Sequence, residues 1–326
     1  MAQHGDHCHP TGRGDVHDHA RDAGHTHGAD HHHGPASFGR AFAVGIALNS
    51  GFVVGEWIAG LHADSLALMA DAAHNLGDVL SLVLAWVAMR LSARLPSARF
   101  TYGLRGSSIL AALVNACVLL LVTGALSWEA ILRLSDPQPL RGGWVVATAL
   151  VGVIINGATA WLFTSGRAND LNVRAAYLHM ASDAVVSFAV VVAGVAVLYT
   201  AWYWLDPLLT LAVSVVIVWQ TARLLIESLR LALQAVPRNI DSAAVKRFLC
   251  ELPGVTEVHD LHIWAMSTTE NALTAHLVIP GRHPGDTFLQ STSELLMRRF
   301  GIQHPTLQIE VADTRSSCAL APDHIV

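Results

Sequence analysis

The chain has 326 residues, of which 52% are hydrophobic and only 14% charged, whereas soluble domains carry about 25% charge. That balance excludes an ordinary soluble globule, and the chain is far too apolar to be disordered throughout. The net charge of −5, with no long block of one sign, argues against nucleic acid as a partner.

Histidine is the anomaly. There are 19, and ten of them fall in the first 33 residues. Residues 1–37 (HGDHCHP, HDH, HTH, HHH) hold almost no large apolar side chain, so folding them cannot offset the loss of chain entropy. The stretch also lacks the basic-then-apolar layout of a signal peptide. It is expected to be a disordered, cytosolic, weakly metal-collecting tail.

Residues 38–230 form a series of apolar runs. A spanning helix needs about 20 apolar residues, and six runs qualify: roughly 40–60, 66–90, 108–132, 143–164, 175–199 and 207–226. Short breaks rich in Pro, Gly or Asn separate them, and Trp202, Tyr203 and Trp204 have the look of an interfacial belt. Arginine sets the orientation. Arg94, Arg99 and Arg105 lie in the second break, and Arg167 and Arg174 in the fourth. The first and fifth breaks hold no Lys or Arg, and the third holds Arg133 and Arg141. The even-numbered loops, and with them both termini, therefore face the cytosol.

From Pro237 the pattern is that of a soluble domain, over 237–313. DSAAVKRFLCELP has helical periodicity with an aspartate placed to cap it. EVHDLHIWAMS and NALTAHLVI read as strands joined by a hairpin, PGDTFLQSTSELLMRRF as an amphipathic helix, and TLQIEVAD as a last strand. The order α-β-β-α-β predicts a small α+β layer. Residues 314–326 read as a disordered tail. Four cysteines (Cys8, Cys117, Cys250, Cys318) form neither a CxxC motif nor a disulfide framework.

Charges inside a bilayer are expensive, so each one is a functional hypothesis. The second run contains His74 and Asp78, four residues apart and thus on one helix face, about 6 Å apart along the axis. Asp71 lies near that face, closer to the outer end. The fifth run contains His179 and Asp183 with the same spacing. Two imidazoles and two carboxylates make a tetrahedral set suited to Zn²⁺, and two aspartates neutralise a divalent ion. Without metal the same groups must be protonated or hydrated, so metal binding releases protons and protonation expels metal. For one such pair alone, a structural hydrogen bond between helices is as good a reading; two matched pairs favour a shared site. HExxH is absent, which argues against an intramembrane metalloprotease. Asn49, Glu56, Asn115 and Asn156 either line a water path or hold helices together, the second being the commoner role. Gly45, Gly51, Gly55 and Gly60 are expected to allow close helix packing, and Asp64 and Asp206, near the outer surface, to need no special account.

The stretches SLALMADAAHNLGD, RFTYGLRGSSILAALVNA, AAYLHMASDAVVS and GVTEVHDLHIWAMS resemble the cation diffusion facilitator family, in its zinc-type His/Asp subgroup, over residues 40–312. The resemblance implies a homodimer of six-helix transmembrane bundles, each with a cytosolic ferredoxin-like domain, that moves divalent metal out of the cytosol in exchange for protons. It places the transport site on His74, Asp78, His179 and Asp183. In the cytosolic domain it places a metal site on His259, His276 and Glu310, with His304 as a further candidate near the start of the last strand. Bacterial members with a histidine two before the acid find Gln308 here. Period-2 alternation sends His259 and His262 to opposite faces, so at most one of them joins that site. The Asp/His pair some members carry between spans two and three is absent, so no metal is expected there. His7-Cys8-His9 is similar to the HCH tripeptide of vesicular zinc members.

The expected function is Zn²⁺/H⁺ antiport by alternating access, in a cell (cytoplasmic) membrane, with zinc as cargo and possible regulator. The alternatives are a cobalt, cadmium or other divalent-metal carrier, and a non-transporting membrane metal sensor. A sensor needs an output domain for which the soluble part leaves no room. An enzyme is not expected, because catalytic zinc keeps an open position that four protein ligands close.

Overall fold

A computed structural model of the chain describes residues 40–164 and 171–311. It divides into two compact units: a helical one ending in sequence at Ser228, and a second that joins Arg94–Ile109 to the chain from Leu229 onward. The expected tails, 1–37 and 314–326, lie outside the described residues.

The helical unit contains α1 (Arg40–Ala63), α2 (Leu66–Ser92), α3 (Ser107–Ser135), α4 (Gly142–Phe163), α5 (Leu171–Thr200) and α6 (Leu205–Ala232). Each coincides with one of the six apolar runs. Five of them, α2 to α6, are long and apolar enough to cross a membrane, and α1 lies against α2 and α4. Large apolar side chains such as Leu121 and Trp161 are about three-quarters exposed, whereas Glu56, Asp71, Thr123, Ser187 and Thr210 are buried. Polar groups inside and apolar groups outside are what a bundle solvated by lipid requires.

Two apolar clusters hold the bundle. Leu66, Ala70 and Ala73 of α2 meet Leu126 and Ala130 of α3 and Val213 and Ile217 of α6. Ala67 and Leu68 meet Ala63, Val145, Ala149 and Val190 of α1, α4 and α5. Of the glycines of α1 expected to allow close packing, Gly51 and Gly55 face open space, whereas a Cβ at Gly60 would stand 2.7 Å from the Met69 side chain of α2. The side chains around residue 45 lie outside the described set. A further tight contact joins α4 to α5, where a Cβ at Gly194 would stand 2.9 Å from a Val146 methyl.

Asp206 also departs from expectation. It is buried and caps α2 from α6. Its carboxylate accepts from the Ser65 hydroxyl, from the Leu66 amide at 2.7 Å and from the Ala67 amide at 3.3 Å. Ser65 in turn accepts from the Leu68 amide at 3.2 Å. Orphan amides at a helix start, together with the helix dipole, favour a carboxylate there.

The second unit has the predicted element order: α7 (Ser242–Cys250), β1 (Glu257–Ala265), β2 (Asn271–Val278), α8 (Asp286–Phe300) and β3 (His304–Glu310). The sheet order is β1-β2-β3. β1 pairs antiparallel to β2, and β3 returns through α8 to pair parallel to β2. Leu249, Leu273, Leu277, Leu296 and Ile302 form its fully buried core. Asp241 caps α7 by accepting from the Ala243 and Ala244 amides. Gly301, at φ 67°, ends α8 in the left-handed conformation that lacks a Cβ penalty only for glycine.

The segment before α3 belongs to this second unit. Arg105 Nη1 donates to Glu270 Oε2 at 2.8 Å, the Thr268 amide donates to Ser108 Oγ at 3.0 Å, and Tyr102 stacks edge-on against His304.

Candidate metal centres

The two HxxxD pairs meet. α2 presents His74 and Asp78 on one face because residues four apart stack on a helix, and α5 presents His179 and Asp183 in the same way. The pairing between helices is reciprocal. His74 Nε2 lies 3.2 Å from Asp183 Oδ1, and His179 Nε2 lies 3.1 Å from Asp78 Oδ2 and 3.8 Å from Asp183 Oδ2. The two rings are edge-to-face, 5.9 Å between centroids. One ligand atom from each of the four residues falls within 4.8 Å of all the others. Ligands at 2.0–2.1 Å around a tetrahedral zinc stand about 3.3 Å apart, so modest contraction brings the set onto one ion.

The site is closed on one side. The side chains of Asp183 and His74 are 3% and 14% exposed, those of Asp78 and His179 35% and 42%. The covered pair lies toward the end of the bundle where α2 begins and α5 finishes, and the open pair toward the opposite end. Asp183 Oδ2 is buried without a hydrogen-bond partner, an acceptor that a cation would satisfy.

Sequence reading missed what supports this set. Asn75, beside His74, donates to Glu56 Oε2 of α1 at 3.1 Å. Ser187, one turn beyond Asp183, donates to Asp71 Oδ2 at 2.9 Å. Asn115 holds helices together, as expected, by donating to Ser81 Oγ at 2.7 Å. Asn156 is buried, and its amide nitrogen has no hydrogen-bond partner. The polar residues alone signalled Glu56 and Asn115; nothing in the linear pattern showed which partner each would meet.

A second cluster lies in the second unit. His276 Nδ1 is 3.0 Å from Glu310 Oε1, and His259 Nε2 is 3.4 Å from the same oxygen. The His259 and His276 rings stand edge-to-face at 5.2 Å. These three residues, with the four above, are the groups among the described residues that could hold a metal ion. His259 is 4% exposed, and neither of its ring nitrogens has a hydrogen-bond partner. An imidazole so placed needs a cation or water to be satisfied.

Two expectations for this cluster change. The register runs from His259 opposite His276 to His262 opposite Thr274, with a bulge between and Asp260 at φ 50°. The extra residue returns His262 to the face of His259, so period-2 alternation fails there. His262 nonetheless bonds Asp260 at 2.8 Å and stays outside the cluster. His304 does not join either. It is exposed, sits opposite Ala272 at the other end of β3 from Glu310, and stacks on Tyr102. Six residues of strand rise, about 20 Å, separate it from the acid. Gln308 stands beside His276. His7, Cys8 and His9 lie outside the described residues.

Residues 42–231 match the family described as the cation efflux transmembrane domain, and residues 237–312 match the family described as the cation efflux protein, cytoplasmic domain. The chain belongs to the cation efflux family. It is a multi-pass membrane transporter of divalent metal cations and not an enzyme. Similar proteins include the zinc transporter ZitB of Escherichia coli, 36% identical over 273 residues, covering 83% of this chain and 87% of that one. The metal cation efflux system protein CzcD of Cupriavidus metallidurans is 34% identical over 291 residues, 89% and 90% of the two chains. The cadmium, cobalt and zinc/H(+)-K(+) antiporter of Bacillus subtilis is 30% identical over 289 residues, 86% and 91%.

Proposed function

We propose that the protein exports zinc from the cytosol in exchange for protons, as a homodimer in the cell membrane with both termini cytosolic. The observation that carries this is the convergence of His74, Asp78, His179 and Asp183 within 4.8 Å. Two carboxylates cancel the charge of a divalent ion, so the loaded site is neutral and can be buried. Two imidazoles tilt the set toward zinc over harder ions. The names of the relatives, a zinc transporter and a cadmium, cobalt and zinc antiporter, support this reading.

The reciprocal His–Asp pairs supply the exchange. A histidine facing the other helix's carboxylate takes a proton readily, and a metal entering between them must displace it. Either occupant leaves the site near neutrality, and these are the two states able to cross. With the arginine-rich loops on the cytosolic side, the open pair Asp78 and His179 faces the cytosol and the covered pair His74 and Asp183 the far side. On this reading the ligands are accessible from the side on which metal is collected. Tilting of α2 and α5 closes that side and opens the other.

The cluster of His259, His276 and Glu310 is read as a zinc site in the soluble domain. Metal there biases the equilibrium between transport states through the dimer.

Zinc uptake into inverted membrane vesicles tests the reading. An inside-acid gradient should drive it, and dissipating that gradient should stop it. Uptake indifferent to the proton gradient sinks the antiport. A second reading, transport of cobalt or cadmium beside zinc, rests on the shared ligand chemistry, and competition of those metals in the same assay decides it.

A further inference from the structure

The helical unit buries a second acidic group that the four-ligand set does not use. Glu56 of α1 is 1% exposed and Asp71 of α2 is 0% exposed. Each carboxyl has one oxygen satisfied: Glu56 Oε2 by the Asn75 amide and Asp71 Oδ2 by the Ser187 hydroxyl. The other two oxygens, Glu56 Oε1 and Asp71 Oδ1, are buried with no donor to receive. An ionised carboxylate buried this fully with an unsatisfied oxygen is costly, and a carboxyl so placed lowers that cost by holding a proton.

The surroundings bear on the same point. α4, which packs on α1, carries no titratable side chain from Gly142 to Phe163. α2 offers Asp71 and His74, and α5 offers Asp183. Among the described residues the bonds to these carboxyls come from Asn75 and Ser187 and from no Lys or Arg, so a proton is the cation on hand. The pair is linked to both ligand helices, through Asn75 next to His74 and through Ser187 one turn from Asp183. It lies on the covered side of the four-ligand set.

We propose that Glu56, with Asp71 as its partner, is a proton-binding relay between the covered ligands His74 and Asp183 and the far side of the membrane. A proton taken up from that side rests on Glu56, shared with Asp71. It passes to the ligand carboxylate or imidazole as metal leaves, and Glu56 is then reprotonated from the far side. Each step moves one proton between two oxygens, or from oxygen to imidazole nitrogen, and no other reactant is needed. The proposal rests on the proton-antiport reading above.

The test compares two modes in vesicles containing the full chain. Zinc/zinc exchange at equal pH needs no net proton movement; uptake driven by an inside-acid gradient does. Glu56→Gln keeps the hydrogen bonds but cannot give up a proton as a carboxyl does. It should lower gradient-driven uptake at least tenfold while leaving zinc/zinc exchange within about twofold, and Glu56→Asp should restore part of the driven uptake. Loss of both modes would mean that the pair only holds α1 to α2, and retention of both would mean that protons travel elsewhere; either overturns the proposal. Wild-type uptake that ignores the gradient overturns the antiport reading instead. Infrared spectra of the wild type close the case in which the variants do not fold. A protonated-carboxyl stretch must persist at neutral pH, and its absence overturns the proposal without any substitution.

Discussion

The two metal clusters are built from similar groups on different scaffolds. In the helical unit, His74, Asp78, His179 and Asp183 come from two helices with the same i,i+4 step, and each histidine faces the opposite helix's aspartate at 3.1–3.2 Å. In the soluble domain, His259, His276 and Glu310 come one each from three adjacent strands. The helical set carries two carboxylates for four ligands, and the strand set one for three. The first can cancel a divalent charge and release it as the helices tilt. The second sits in a hydrogen-bonded sheet whose strands cannot part without breaking the ladder, which suits a site that senses metal. On the proposed reading, the difference assigns cargo to the helix packing and regulation to the sheet.

The sharpest way to break that comparison is to remove a charge from the cargo site alone. Asp183→Ala should lower zinc transport about 100-fold or more, because an uncompensated charge at the centre of a bilayer costs about 2.5–3.5 kcal/mol or more. Initial uptake rates in vesicles check it, with His259→Ala as the contrast. That soluble-domain variant should lose a zinc equivalent in a direct titration yet keep transport at saturating zinc within about twofold. Equal losses for both would erase the division of roles.

The next effect is on the scaffold. Asp206→Ala takes the acceptor from the Ser65 hydroxyl and the Leu66 and Ala67 amides, all buried at the start of the helix that carries His74. Loss of the cap should destabilise the bundle by about 2 kcal/mol. Thermal unfolding in detergent would show it, while the isolated unfolding step of the soluble domain, where it is resolved, should not move.

A pH series distinguishes the sites by their proton count. Zinc binds only deprotonated imidazole, so protons compete with it and zinc affinity at the transport site should fall as pH drops. With both histidines paired to carboxylates, the fall should approach about two protons per zinc. Zinc titrations in buffers of several pH values read the slope directly. A flat profile would mean that the histidines do not hold the metal.

The helices were the legible part of this molecule. Apolar runs about the length of a bilayer gave six elements, and the i,i+4 spacing put four ligands on two faces, because helix geometry is fixed by local hydrogen bonds. The soluble domain's element order was equally readable, and so was the Asp241 cap. What could not be read was the register between elements. The bulge at Asp260 turned His262 back toward His259, contrary to strict alternation, and His304 proved to stand at the wrong end of β3 for Glu310. The reach of Asp206 across to Ser65, and that of Ser187 across to Asp71, join residues far apart in sequence. Such contacts depend on which faces two helices choose, and no local pattern records that choice. The glycines mislead for the same reason: small residues permit close approach, but the partner decides where it occurs, at Gly194 rather than at Gly51 or Gly55.

The smallest expected effect sharpens the strand cluster. Gln308 is the register neighbour of His276 across the parallel β2–β3 ladder, on strands about 4.8 Å apart. An imidazole at that position would join His259, His276 and Glu310 on one side of the sheet, completing a four-ligand set of three nitrogens and a carboxylate. Gln308→His should therefore tighten zinc binding to the soluble domain about tenfold, the lower end of what a well-placed supporting group contributes at a metal site. The fold should persist, because residue 308 is not part of the buried core. The transport ligands are untouched, so uptake at saturating zinc should stay within about twofold, while at scarce zinc any change reports the regulatory coupling alone. Calorimetric titration of the full-length variant measures the affinity. No gain would mean that metal, if bound there, approaches Glu310 from a direction residue 308 does not face, and that the sheet supplies fewer ligands than its register indicates.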